Sequence, residues 1–367
     1  MSVIINGTDG VQFNDASLQG AAASPFGLKN RIINGDMRID QRNAGAAVTL
    51  TTSAPYTVDR WLGLEDTDGG MTAQQSSDAP TGFTNSVKLT TTSADASLGA
   101  AQYARFQQHI EGYNVADLEF GTANAKTVTL SFWVKSSLTG TFAGGLRNYD
   151  ANRGYPFNYT ISSANTWEYK TVTVVGDTTG TWDKTNSGGL AIIFSMGAGS
   201  NFQSTVNTWG AGNYFSTAGA TSVVGTNGAT WYVTGVQLEQ NTSATPFERR
   251  LYNQELANCQ RYYEIIKKGA NETLIGIGFG YAGSTVFVNY PFKVTKRTEP
   301  TVEYNGASSN LQCLNGSGSW NSSSGGISFV TNIQSMRINC PVSGISSNNA
   351  CEMRIEGTSY INISAEL

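Results

Sequence analysis

From Lys126 to Ser136 apolar and polar residues change places at every step. Val128, Leu130, Phe132 and Val134 fall on one side, and Thr129, Ser131, Trp133 and Lys135 on the other. A period of two belongs to a β-strand with one buried face, and Trp133 is the only apolar member of the outer set. The alternation returns at Trp167–Val175, where Val172 and Val174 oppose Tyr169, Thr171 and Thr173. It returns again at Leu190, Ile192, Phe194 and Met196, and at Tyr232, Thr234, Val236 and Leu238. Short strands separated by turn residues, with no helical pattern between them, predict a jelly-roll β-sandwich over residues 31–245.

One stretch departs from this period. Leu256, Cys259, Tyr263 and Ile266 recur at helical spacing, widened by Leu251 and Tyr262. They predict a helix over 251–267, capped by Asn253 and stopped at Gly269, within a short linker spanning 246–269. Strand alternation then resumes in Val286, Val288, Tyr290, Phe292 and Val294, in Met336, Ile338 and Cys340, and in Cys351, Met353 and Ile355. It ends with Ile361, Ile363 and Ala365. A second small β-sandwich is expected over 270–367, making the fold class all-β. Residues 1–30 are small and polar, with turn-like Thr8-Asp9-Gly10 and Asn14-Asp15. They offer too little apolar surface to offset their own ordering entropy, and predict a segment that docks on a partner or trimerises.

Composition narrows the function. Charged residues are 14% of the 367, against roughly 25% in an average soluble chain. The net charge is −4, and residues 251–367 carry eight basic and eight acidic side chains, so the acidity lies in the N-terminal part. Such a balance argues against a phosphate-neutralising surface, and no nucleic-acid partner is expected. No apolar run reaches the roughly 18 residues of a span, so no membrane insertion is expected. Met1–Gly7 lacks the basic and apolar regions of a secretory signal, which points to assembly in a cytoplasm. The four cysteines (259, 313, 340 and 351) are then expected as thiols, with Cys340 and Cys351 facing inward side by side.

Chemical motifs mostly dissolve on inspection. His109 is the single histidine, so a multi-imidazole zinc site within the chain is impossible, and any histidine-based triad would have to use it. Gly278-Phe279-Gly280-Tyr281-Ala282-Gly283 spells a dinucleotide fingerprint, but a strand pattern follows where the fingerprint needs a helix. Asp66-Thr67-Asp68-Gly69-Gly70 reads as a polar turn. No cofactor is expected. A carboxylate pair for glycoside hydrolysis stays open as the alternative, because any two of the 27 acids could converge.

The aromatic residues carry more. Tyr149, Tyr155, Phe157, Tyr159, Trp182, Trp209, Tyr214 and Phe215 are interleaved with Asn148, Asp150, Asn152, Arg153, Asn158, Asp183, Asn201 and Asn213. A sugar ring has an apolar face and a rim of hydroxyls, which aromatic and amide side chains satisfy together. The same rings would serve equally as core or subunit-interface residues. Trp182, Trp209, Tyr149, Tyr155 and Tyr214 are the candidate ligand residues of the first sandwich. Trp320, in a Gly/Ser/Asn-rich stretch of the second, is the rival.

Asn30-Arg31-Ile32-Ile33-Asn34-Gly35-Asp36-Met37 with Gln41-Arg42, Tyr56-Thr57-Val58-Asp59-Arg60-Trp61 and Leu130-Ser131-Phe132-Trp133-Val134-Lys135-Ser136 resemble the opening blocks of tailed-bacteriophage tail fibre and receptor-binding proteins. Trp167-Glu168-Tyr169-Lys170-Thr171-Val172, Val236-Gln237-Leu238-Glu239, Phe247-Glu248-Arg249 and Cys259-Gln260-Arg261-Tyr262-Tyr263 extend the likeness in order, and Ser364-Ala365-Glu366 resembles its end. The resemblance implies a homotrimeric virion protein, held to the phage tail or baseplate through residues 1–30, that recognises a host cell-surface glycan. It also implies a jelly roll similar to carbohydrate-binding modules, which often hold a structural calcium through a glutamate after Asn-Gly and an aromatic residue. Here Met37-Arg38 stands in those places, leaving Asp36 and Glu239 as the candidate calcium ligands.

Overall fold

The computed structural model describes residues 29–268, 273–282, 284–314 and 318–367, with the backbone of three short strands nearer the start. Those strands, β1 (Ile4–Asn6), β2 (Gly10–Gln12) and β3 (Leu18–Gln19), pair antiparallel in that order. The other residues of the expected docking segment before Lys29 lie outside the described residues.

The first sandwich is built from β4 (Val48–Thr49), β5 (Tyr56–Val58), β6 (Trp61–Asp66), β7 (Gly70–Ser76), β8 (Ser86–Ser93) and β9 (Tyr103–Glu111). It continues through β10 (Val128–Ser136), β11 (Gly140–Asn148), β12 (Gly154–Ile161), β13 (Glu168–Val174), β14 (Gly188–Ala198) and β15 (Thr230–Glu239). Two six-stranded antiparallel sheets result, in the orders β13-β10-β15-β8-β7-β4 and β12-β11-β14-β9-β6-β5. The alternating residues of β10 and β14 meet between them. Trp61 stacks on Phe106 at 5.0 Å, and Phe194 packs against Phe132 at 5.0 Å and Trp231 at 5.2 Å. Each such ring contributes about 1.5–3 kcal/mol on burial, so this aromatic centre dominates the domain's stability. Trp133, the exception on the outer face of β10, has a local cause. The register between β10 and β15 slips at a bulge where Gly235 adopts φ 61°, and a Cβ there would stand 3.1 Å from the Trp133 ring.

The expected helix over 251–267 is shorter in the structure. Helix α1 (Tyr252–Gln260) ends after nine residues, begins at Leu251 without a side-chain cap, and gives way to strand β16 (Tyr263–Lys267). Leu251 is 80% exposed, so it is not part of an apolar stripe. Cys259, Tyr262, Tyr263 and Ile266 are instead buried within this chain. The competing partner is a strand at the far end of the sequence, with which β16 pairs from Tyr263↔Ser364 to Lys267↔Tyr360.

The second domain adds β17 (Thr273–Tyr281), β18 (Thr285–Pro291), β19 (Thr301–Asn305), β20 (Leu311–Leu314), β21 (Trp320–Ser322) and β22 (Ser328–Thr331). It closes with β23 (Ser335–Pro341), β24 (Ala350–Ile355) and β25 (Tyr360–Ser364). Sheets β16-β25-β19 and β21-β20-β24-β17-β18-β23-β22 share one core. Gly278 to Gly280 lie within β17, and the strand expected after the glycines is β18.

Polar contacts join the two domains. Arg60, fully buried, pairs with Glu366 and lies 3.6 Å from the Tyr262 ring centroid. Arg42 bonds Glu366 at 3.1 Å and lies over Tyr263. From the other side Arg261 forks onto Glu111 at 2.6 and 3.0 Å, with the Tyr262 hydroxyl donating to the same carboxylate at 2.6 Å.

Candidate functional site

The aromatic residues singled out in the sequence do not form one exposed platform. Trp182 is 8% exposed, and its indole N–H donates to the Thr179 carbonyl at 3.1 Å. Phe120 and Trp209 meet it edge-on at 4.9 and 5.4 Å. Trp209 donates to the Val175 carbonyl at 2.7 Å and packs on the buried Tyr155 at 5.1 Å. The space beside Trp182, lined by Val115, Leu118, Phe120 and Leu190, is a cavity of about 10 Å³, room for about one water. The surrounding polar residues are used within the loops: Arg153 forks onto Asp177 at 2.6 and 2.9 Å, and Asn148 bonds Asn152 and the Thr181 carbonyl. Trp182, from a loop, and Tyr155, from β12, both pack into the core of the sandwich, with the Trp209 ring against each. Trp320 lies in β21 rather than in a loop, half-buried, with the Arg354 guanidinium 3.8 Å from its ring centroid. Tyr149 stays exposed and Tyr214 half-exposed.

Asp36 and Glu239 do not fit a calcium site. Asp36 is ion-paired with Arg38 and its carboxyl is held above the usual range, first by burial. Glu239 accepts from Gln237 and from the Thr245 amide at 2.8 Å each, and from the Thr245 hydroxyl at 2.7 Å. Among the described residues no group of three or more acidic, cysteine or histidine side chains is arranged to hold a metal ion.

A different surface draws attention: the outer face of the sheet containing β9, β14 and β11. Its register places Arg147, Ala191 and His109 in one row across these strands. Gly145, Ile193 and Gln107 form the next row, and Ser195 and Arg105 the one after. The inward neighbours Leu190, Ile192 and Phe194 are core, so these rows face away from it. Ala191 and Ile193 of the middle strand pack with Phe215 as a small, fully buried apolar cluster. A loop lies over one side, its Phe215 so close that a Cβ on Gly145 would stand 2.7 Å from the Phe215 Cα. On the other side Arg60 donates to the His109 carbonyl at 2.6 Å and pairs with Glu366 of the second domain. Tyr149 meets the His109 ring edge-on at 5.0 Å.

Gln107 Nε2 and His109 Nε2 bond each other at 2.7 Å, while other polar atoms on this face have no partner. Arg105 Nε and Nη1, Arg147 Nε, Gln107 Oε1 and His109 Nδ1 are buried without a hydrogen-bond partner. Arg147 Nη1 reaches only Asn213 Oδ1, at 3.1 Å, and Arg105 is sandwiched near the Tyr103 and Phe215 rings at 4.7 and 5.0 Å. Burial lowers Arg105 to about 10. Burial and the neighbouring Arg105 charge lower Arg147 to about 9. Burial, then Arg147, Arg60 and Arg105, lower His109 to about 3 against the opposing backbone hydrogen bond of Leu367. Each buried polar atom left unpaired costs about 1–3 kcal/mol, so the five on this face call for a partner from outside the chain, water or ligand. The sequence does carry part of this signal. Tyr103, Arg105, Gln107, His109 and Glu111 alternate with core residues, but that pattern reads as an ordinary solvated face until the covering loop is seen.

No family model and no curated protein matches the chain. Its fold is similar to several solved structures, all distant. The enzymatically active domain of a tailspike protein of bacteriophage CBA120 shares 14% identity over 59% of this chain, with a TM-score of 0.31, and this chain covers 22% of that one. A family 11 carbohydrate-binding module from Clostridium thermocellum, solved with a mixed-linked tetrasaccharide, shares 13% over 54% of this chain and 98% of its own, at 0.28. The N-terminal cellulose-binding domain of a Cellulomonas fimi glucanase shares 14% over 50% and 90%, at 0.23.

Proposed function

We propose that this chain is a glycan-binding adhesin of the tail-fibre kind, which attaches a tailed phage's virion, as a homotrimer, to a sugar on the host surface. The observation that carries the binding role is the outer face of β9, β14 and β11. Buried donors and acceptors of Arg105, Gln107, His109 and Arg147 lack partners there, beside the exposed ring of Tyr149. Donors and acceptors for hydroxyls next to an aromatic surface are what a saccharide requires. The virion role, the trimer and the docking of residues 1–30 rest on the sequence resemblance.

The test is incubation of the full chain with bacterial surface polysaccharide. The adhesin reading expects saturable binding and an unchanged polymer size distribution on gel filtration. Progressive shortening of the polymer would replace it with a depolymerase, and absence of saturable binding to any saccharide would remove it.

A further inference from the structure

The two guanidiniums on the outer face ask for more than hydroxyls. Buried cations in this chain are otherwise answered by carboxylates: Arg60 and Arg42 by Glu366, Arg153 by Asp177, Arg250 by Glu255, Lys296 by Glu264. Arg105 and Arg147 are 6% and 5% exposed and form no ion pair among the described residues. They stand on the same sheet face, Arg105 on β9 and Arg147 on β11 with β14 between them, and the Arg105 charge disfavours that of Arg147. Glu111, the one acid at the end of the same row of β9, is already committed to Arg261 and Tyr262. A neutral sugar could accept hydrogen bonds from these arginines, yet it would leave both charges uncompensated in a desolvated place. An oxyanion answers the charge and the donors together, through paired N–H···O bonds suited to a guanidinium.

We propose that the saccharide recognised at this face is acidic, with a carboxylate or sulfate group seated between Arg105 and Arg147. Gln107 Oε1 and His109 Nδ1 take neighbouring hydroxyls. This inference rests on the glycan-binding reading above and adds the chemical class of the sugar. The chain's net charge of −4 gives no general attraction for polyanions, so a preference for acidic sugar has to be local.

The experiment measures binding of the full chain, by calorimetry or on a saccharide array, to polygalacturonate, its carboxyl-reduced form, dextran sulfate and neutral dextran. Arg105→Gln and Arg147→Gln are compared with the wild type after circular dichroism has shown each to be folded. Tighter binding to polygalacturonate than to its reduced form, by about tenfold or more, identifies a carboxylate; the same margin for dextran sulfate over dextran identifies a sulfate. Either preference should fall by a similar factor in each arginine variant, and on adding salt. Equal binding of charged and neutral polymers by the wild type would overturn the acidic assignment and leave glycan binding standing. A preference for acid that survives both variants would move the anion elsewhere and also overturn it. Binding to no saccharide would remove the glycan reading itself and this inference with it. Variants that lose the trimer while acid preference never existed would show instead that a partner chain answers the arginines, which contradicts the proposal. The polymer comparison needs no substitution, so it decides even if a variant fails to fold.

Discussion

His109 is held neutral by burial and by the guanidiniums of Arg147, Arg60 and Arg105, which all disfavour the imidazolium. The unfolded chain binds a proton at this residue below about 6.5, while the folded chain resists it until about 3. Between those values the unfolded state holds more protons, so stability rises with pH and is lost on acidification, by about 1.4 kcal/mol per pH unit. His109→Gln should therefore gain stability relative to wild type as pH falls from 6.5 to 4, as read by urea unfolding of the two chains in parallel. A stability difference that stays flat across that range would mean the imidazole is not shielded. Asp59, buried and raised to about 6 first by desolvation, acts with the opposite sign, its ionised form being disfavoured above about 4. The comparison must therefore be between variant and wild type at each pH rather than along one curve.

At the scale of elements, β16 shows why the sequence was only partly legible. Tyr262, Tyr263, Ile265 and Ile266 suit a strand as well as they complete a helical stripe, and only β25, nearly a hundred residues onward, decides between them. The strand is then fixed by a buried ion pair. Lys296 reaches Glu264 at 2.7 Å, both side chains 0% exposed, with the Tyr290 hydroxyl donating to Glu264 at 2.8 Å. Lys296→Met leaves that carboxylate buried without a cation and should cost about 3–5 kcal/mol. The double change Glu264→Leu with Lys296→Met should cost clearly less. Urea titration of the single and double variants checks this, and equal losses would show that the pair is not coupled. The bulge in β15 makes a second case. Gly235→Ala places a Cβ 2.7 Å from the Phe83 ring at a positive φ, and should cost about 1–3 kcal/mol in the same assay. The alternating strands of β10, β13 and β14 were legible because each has one face in the common core. Trp182 lies in a loop that carries no such period, whereas Tyr155, Phe157, Tyr159 and Ile161 alternate along β12 and are core.

Across the whole molecule, the blocks that resemble tail fibres converge on structure rather than on the candidate sugar site. Arg42, Asp59, Arg60, Arg261, Tyr262, Tyr263 and Glu366 all meet where the two domains join. Cys259 at the end of α1 and Tyr262 just beyond it are covered by their own chain, and the homotrimer rests on the resemblance. Light scattering at micromolar concentration is expected to give three times the single-chain mass; a single-chain mass would contradict that assembly.

The central claim is that sugar is met by the outer face of β9, β14 and β11. Hydrogen–deuterium exchange of the full chain with and without a saccharide it binds tests this most directly. Added protection is expected in Tyr103–Glu111, in the turn that carries Tyr149, and in the loop from Phe202 to Phe215. Protection confined to the second domain around Trp320, with the first sandwich unchanged, would contradict it.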